Sequence, residues 1–265
     1  MKVYISVDIE GVAGITHWDE ATIDKPGYET FREQMTAEAA AACEGALAAG
    51  ATGLLVKDAH SSGRNILPAS LPESVQLIRS WSGDPLCMVE ELDESFDAVA
   101  MVGYHSGAGF GGNPLAHTIS GKVFRLLING EPISEFLLHS LVAAELGVPT
   151  VFISGDSLLC TDAKQARPGI HTVATNTGKG AATTSIHPAR AVAAIRSGME
   201  AALKDVAARV LPQLSDRYEM ELWYEQNEDA YAASFYPGAS LHAPHAVRFE
   251  TDRVYEILRM LQFVL

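Results

Sequence analysis

The stretch "VYISVDIEGVAG", residues 3–14, is the reading on which the rest of the chain turns. Val3, Ile5, Val7 and Ile9 alternate with Tyr4, Ser6, Asp8 and Glu10. A period of two is the mark of a strand. The strand is rich in Val and Ile, as a core strand of a parallel sheet is. It finishes in two carboxylates and a glycine, so the position where it leaves the sheet is also where charge gathers.

Outward from this strand, apolar strands alternate with helices. Residues 29–49 read as an alanine-rich helix with acids early and Gly50 as its stop. Residues 52–58, "TGLLVKD", and 96–105, "FDAVAMVGYH", read as further strands. Residues 123–130, "VFRLLING", run into an Asn-Gly turn. A helix is expected over 132–147, with Pro132 near its first position and Gly147 after its end, followed by a core strand at 149–156. The alternation predicts an α/β fold with a mostly parallel sheet core flanked by helices. After residue 180 the rhythm changes. A long helix is expected near 188–209, then "YEMELWYE", "VRFETD" and a terminal helix from about 252. The expected division is an α/β core over 1–180 and a smaller α+β portion packed on it over 181–265.

The 265 residues carry a formal net charge of −14, with 48% hydrophobic and 20% charged side chains. A sizeable core is possible, and nucleic acid and anionic membrane surfaces are poor partners for such a charge. Cys43, Cys87 and Cys160 lie far apart with no Cys-x-x-Cys spacing, which argues against a disulfide framework and a cysteine zinc site. No basic segment leads into an apolar one at the start, and no apolar run approaches the roughly 18 residues of a membrane span. A cytoplasmic setting is therefore expected.

Ligands of an open α/β sheet sit beyond the carboxyl ends of its strands. There lie Asp8 and Glu10, then Asp58 and His60, then Tyr104 and His105, then Asp156. Asp8 and Glu10, two apart in an extended chain, share a face. Two readings stand open for them: a wet pair at a strand end, or a pair that needs a divalent cation between them. His60 and His105 each follow a core strand at an equivalent place, and carboxylate with imidazole is ordinary zinc chemistry. Asp58 is either a further ligand or a partner that orients a histidine. Glu135, early in its helix, is by pattern a first-turn acid favoured by the macrodipole. His117 follows the glycine-rich loop "SGAGFGGNP" and is either a surface histidine or an acid–base group. The bare GxGxxG spacing of Gly107, Gly109 and Gly112 is followed by no evident helix, so a dinucleotide site is not supported. The serine-hydrolase GxSxG and the metalloprotease HExxH are absent.

Together, "SVDIEG" at 6–11, "KDAHS" at 57–61, "VGYH" at 102–105, "AHTIS" at 116–120 and "NGEPISE" at 129–135 are a specific set. With "SGD" at 154–156 and "YPG" at 236–238 they make the chain resemble the DppA-type D-aminopeptidase family, zinc metallopeptidases once named as dipeptide transport proteins. The resemblance implies two zinc ions per subunit, held by Asp8, Glu10, His60, His105 and Glu135, with Asp8 bridging. It implies His117 as the catalytic histidine, and it is the resemblance that raises Glu135 above a first-turn acid. It further implies cleavage of N-terminal D-residues from short peptides, and a ring-shaped homo-oligomer. The alternatives are a zinc amidase or dipeptidase without D-preference, a non-catalytic peptide-binding protein linked to dipeptide transport, and a structural metal site.

Overall fold

A computed structural model describes residues 1–205 and 207–265. The chain runs β1 (Lys2–Val7), α1 (Trp18–Ala21), α2 (Tyr28–Ala48), β2 (Gly53–Asp58), β3 (Val75–Ile78) and β4 (Ala98–Tyr104). Next come β5 (Val123–Ile128), β6 (Glu131–Pro132), α3 (Glu135–Glu145), β7 (Thr150–Asp156) and α4 (Ser157–Ala166). The remainder is β8 (His171–Lys179), β9 (Ala182–Ser185), α5 (Pro188–Lys204), β10 (Tyr218–Tyr224), α6 (Asn227–Ala233), β11 (Ala239–Ala243), β12 (Ala246–Thr251) and α7 (Val254–Val264).

One sheet has the order β3-β2-β1-β4-β7-β8-β9 and is parallel except for its β8–β9 edge. From β1 the chain crosses to β2 on one side, while β4 pairs with β1 on the other. The carboxyl ends of β1 and β4 therefore flank a topological switch point, where such a sheet opens a crevice. The alternation in β1 sorts side chains between two cores. Val3, Ile5 and Val7 pack with Met35, Ala39, Ala42 and Cys43 of α2 and Ile195 and Met199 of α5. Tyr4 faces the other side, in the core shared with α3, α7 and the second sheet. Burial on both faces is why β1, β4 and β7 read as near-continuous apolar runs.

The small residues of α2 let α5 approach closely. A Cβ on Gly45 would lie 2.3 Å from the Arg196 carbonyl oxygen. So α5, which follows residue 180, lies against the first sheet's core. Conversely, β5 and β6 precede residue 180 yet belong to the antiparallel sheet ordered β11-β12-β10-β5-β6. The division expected from the change of rhythm thus does not follow sheet membership. Strand pairing between distant segments is set by tertiary packing, which local patterning does not carry.

Three boundaries also differ from expectation. The helix expected from residue 132 starts at Glu135, because Glu131 and Pro132 pair with β5 and Ser134 supplies the N-cap. The helix expected to 209 ends at Lys204. The first strand ends at Val7, and Asp8 to Glu10 lie in the bend beyond it. That bend crosses the end of β4: the Gly11 amide donates to the Gly103 carbonyl at 2.8 Å. A Cβ at Gly11 would fall 1.8 Å from the Tyr104 carbonyl oxygen, so only glycine permits the crossing.

The next turn of this loop is fixed from α2. Buried Glu38 accepts from the Ala13 amide at 2.9 Å and from Gln34 Nε2 at 2.8 Å through one oxygen, and its other oxygen has no partner. Burial pushes its pKa up to about 7, against the lowering effect of those two donors. A carboxyl raised on folding stabilises fully below its unfolded pKa and progressively loses that contribution as pH rises toward the folded value. The difference corresponds to about 3 kcal/mol. Glu38→Gln should therefore be more stable than the parent at pH 8 by on the order of 2 kcal/mol, after allowing for an unpaired amide. The advantage should shrink toward pH 5, as read by paired urea denaturation curves.

Candidate metal centre

The strand ends bring five side chains into one buried volume. Asp8 and Glu10 come from the bend after β1, His60 from the loop after β2, and His105 from the residue after β4. Glu135, the first residue of α3, closes the set from the opposite side. His60 Nδ1 lies 3.3 Å from Asp8 Oδ1 and 3.1 Å from Glu10 Oε2. His105 Nε2 lies 3.4 Å from Asp8 Oδ2 and 3.3 Å from Glu135 Oε2. Three overlapping clusters result, Asp8–Glu10–His60, Asp8–His105–Glu135 and Glu10–His105–His117, each with its ligand atoms within 4.8 Å of one another. Asp8 offers one oxygen to each of the first two.

The outer hydrogen bonds settle how the imidazoles are oriented. His60 Nε2 lies 2.7 Å from the Ala21 carbonyl oxygen, and His105 Nδ1 lies 2.9 Å from the Ser106 carbonyl oxygen. A carbonyl oxygen only accepts, so each of these nitrogens donates. When neutral, each ring therefore presents its other nitrogen, with a free lone pair, to the carboxylates. Without a cation that arrangement is strained. Three buried carboxylates face two imidazoles, so negative charge remains even if both rings are protonated. Glu10 Oε2, His105 Nε2 and Glu135 Oε2 are buried with no hydrogen-bond partner. Neutral imidazole nitrogen with carboxylate oxygen is a donor set that suits zinc, and the orphaned atoms point where such an ion would sit. The residues present therefore fit the metal.

The charges perturb one another in the expected directions. Burial alone would lower the His60 imidazole, but Glu10 and Asp8 raise it well above its ordinary value. Burial acts the same way on His105, and Glu135 and Asp8 outweigh it, raising that ring too. Burial would raise the Asp8 and Glu135 carboxyls. Hydrogen bonds with His105 and His60 hold Asp8 well below its usual range, and His105 and His117 lower Glu135.

Supporting residues fix the frame. Asp58 accepts from the Asn65 amide at 2.6 Å, the Ile66 amide at 2.7 Å and Asn65 Nδ2 at 2.8 Å. It closes the loop that carries His60 and does not join the five. Asp156 accepts from the Ser106 amide and hydroxyl, both at 2.6 Å, and caps α4. It thereby fixes the residue after His105.

His117 reaches the edge of the centre. Its ring stacks on that of His105 with centroids 4.4 Å apart and planes at 10°, and Trp18 meets it edge-on at 5.2 Å. Its Nδ1 donates to the Leu115 carbonyl at 3.0 Å, leaving Nε2 3.7 Å from Glu135 Oε1. Glu135 Oε1 also accepts from the Ile119 amide at 2.6 Å, so it ties down the segment that presents His117. The glycine-rich loop packs too tightly for a ligand at Gly112, where a Cβ would lie 2.3 Å from Ser106 Oγ. Of the other histidines, His139 is buried and donates from Nδ1 to the Glu135 carbonyl at 2.7 Å, while His17 caps α1. His171, His187, His242 and His245 lie outside the clusters.

A cleft of about 380 Å³ opens onto Asp8, Glu10, His60, Glu135 and His117. Trp18, Trp81, Cys87, Ile119 and Gln262 also line it. Sequence reasoning did not find these, since isolated aromatic and aliphatic residues outside a periodic element give no signal of where they converge.

The sequence model of the family described as D-aminopeptidase matches residues 1–263. A D-aminopeptidase of Bacillus subtilis (strain 168) is 32% identical over 248 residues, which is 91% of this chain and 88% of that protein. The solved structure of the Zn-dependent D-aminopeptidase DppA from Bacillus subtilis, a self-compartmentalizing protease, superposes with a TM-score of 0.93. It is 27% identical, and the match covers 100% of this chain and 96% of that one.

The raised imidazoles give this centre a measurable signature. The carboxylates favour the protonated form of His60 and His105 in the metal-free centre, whereas a coordinating imidazole is neutral. Zinc binding should therefore release protons. Calorimetry in buffers of different ionisation enthalpy measures that release, and His60→Ala should reduce it.

Proposed function

We propose a function from one premise: the chain belongs to the D-aminopeptidase family, whose model spans residues 1–263. It is a metallopeptidase that removes N-terminal D-residues from short peptides. The observation that carries this reading is the convergence of Asp8, Glu10, His60, His105 and Glu135 beside a cleft that His117 overlooks. Those five would hold two zinc ions, with Asp8 shared between its two clusters. Zinc bound there would act as a Lewis acid toward the scissile carbonyl.

The chain's own residues do the rest. His117 donates through Nδ1 to a backbone carbonyl, so its neutral ring keeps a lone pair on Nε2 at the cleft. In this reading that nitrogen attacks the carbonyl carbon, or takes a proton from the attacking group and returns it to the leaving amine. Stacking on His105 and the edge of Trp18 restrict the ring to that direction. Asp84, at the exposed side of the cleft, is a carboxylate outside the ligand set that can meet the substrate's free ammonium group.

The same reading includes a ring-shaped homo-oligomer. Phe235 and Phe263 are 71% and 73% exposed, and Tyr231 stacks edge-on against Phe235. Aromatic surface of that extent favours association. Among the described residues no helix is long and apolar enough to cross a membrane. Cys43, Cys87 and Cys160 are free thiols, which accords with a reducing, cytoplasmic setting.

Initial rates on the D- and L-enantiomers of aminoacyl p-nitroanilides test the reading directly. Release from the D-series alone is expected, and release from the L-series alone would overturn the stereochemical assignment. His117→Ala should keep its zinc and lose about a hundredfold or more in kcat. Unchanged turnover would remove His117 from the mechanism.

A further inference from the structure

The cleft does not end at the metal ligands. A second cavity of about 210 Å³ adjoins it, and Cys87, Ile119 and Gln262 line both. Leu258 and Leu261 of α7 are buried beneath it, and Leu265 completes the recess. Among the described residues, no side chain lining this arm is charged. An apolar recess that opens onto a hydrolytic centre is suited to an apolar side chain.

One wall of the joint cavity is the segment from Trp81 to Met88. It has no regular strand or long helix to stiffen it, and Gly83 and Cys87 both have positive φ, at 88° and 53°. A buried ion pair fixes it instead. Lys57, on β2, has a side chain that is 0% exposed, and its Nζ lies 2.8 Å from Glu90 Oε1. The same ammonium sits 4.0 Å from the centroid of the Trp81 ring and donates to the Ser80 carbonyl. Glu90 Oε2 accepts from the Ser82 amide at 3.1 Å and its hydroxyl at 2.7 Å. From below, Ser6 Oγ donates to the Met88 carbonyl at 2.6 Å and Tyr4 to the Glu90 carbonyl at 2.8 Å. Lys57 thus holds both ends of the wall without lining the cleft. A buried ion pair is weak as a device for stability and is better understood as one that fixes geometry.

We propose that the arm bounded by Cys87, Ile119, Leu258, Leu261 and Leu265 is the subsite for a bulky apolar side chain of the peptide substrate, and that the buried Lys57–Glu90 pair is the positioning device for the Trp81–Met88 segment, which sets Cys87 in its wall and Trp81 at the cleft beside it. The proposal rests on the aminopeptidase reading and narrows it to substrates of leucine or phenylalanine size at the recognised residue. Lys57 acts through the segment that carries Trp81 and Cys87, so it governs how the side chain is bound and leaves the chemical step alone.

The test compares D-Ala, D-Leu and D-Phe p-nitroanilides with the zinc-loaded wild type, Trp81→Ala, Lys57→Met and the double variant Lys57→Met/Glu90→Leu. Zinc content is measured on each. The wild type should favour D-Leu or D-Phe over D-Ala by about tenfold or more in kcat/KM. Each Lys57 variant should lose that preference through KM, with zinc content unchanged and kcat on D-Ala within about threefold of wild type, and Trp81→Ala should lose the preference as well. If Lys57→Met fails to fold because Glu90 is left buried and unpaired, the double variant removes that charge and gives the same readout. A wild type that cleaves D-Ala best, or variants that keep the wild-type ranking, overturn the subsite while leaving the enzyme reading intact. Loss of zinc or of kcat on all three substrates in the Lys57 variants overturns the positioning role. A wild type inert on every substrate overturns the function and this inference with it.

Discussion

Asp8 is the constraint on which the centre depends. One of its oxygens faces His60 and the other His105, so a single buried carboxylate joins two ligand clusters. Concentrating three carboxylates and two imidazoles out of water is costly unless opposite charge is placed among them. The protein meets that cost by fixing each imidazole from behind with a backbone carbonyl and by leaving the inward atoms unpaired. The inward atoms are thereby left short of hydrogen-bond partners where a cation would fit.

Around this centre the backbone acts as a set of clamps. Gly11 lets the Asp8–Glu10 bend cross the end of β4, and Asn113 ties the glycine-rich loop to the Glu10 carbonyl at 2.8 Å. Asp58 and Asp156 occupy strand ends level with the ligands yet serve as loop and cap organisers. Strand-end acids therefore divide into candidate ligands and braces according to what their neighbours donate. Where an acid is surrounded by backbone amides it is satisfied, and where it meets imidazole it needs a cation.

The substrate side of the cleft is assembled from more remote parts of the chain. α1 contributes Trp18, the loop after β3 contributes Trp81, and α7 contributes Gln262. The two sheets share the core that contains Tyr4, Phe136, Leu222 and Leu261. This common core places the terminal helix beside the metal residues. The last residues of the chain are in this way coupled to chemistry that begins at residue 8.

Period-two alternation and strand–helix rhythm were enough to determine the parallel sheet, since burial on both faces leaves Val- and Ile-rich runs that local reading detects. Asp8, Glu10, His60 and His105 were legible because strand ends in such a sheet must converge. Glu135 was not legible from pattern, because an acid in a first helical turn is ordinary. It was singled out by the resemblance of "NGEPISE", and its contact with His105 is a matter of long-range packing. Asp58 was ambiguous for the same reason, since its donors lie seven and eight residues onward in a loop of no regular period. The sequence by itself determined which elements form and which chemistry they carry at their ends. Tertiary structure alone decided that β5 and β6 join the second sheet, that α5 covers the first, and that Lys57 steadies Trp81. Those outcomes depend on contacts between segments far apart in the chain, and local propensity carries no record of such contacts.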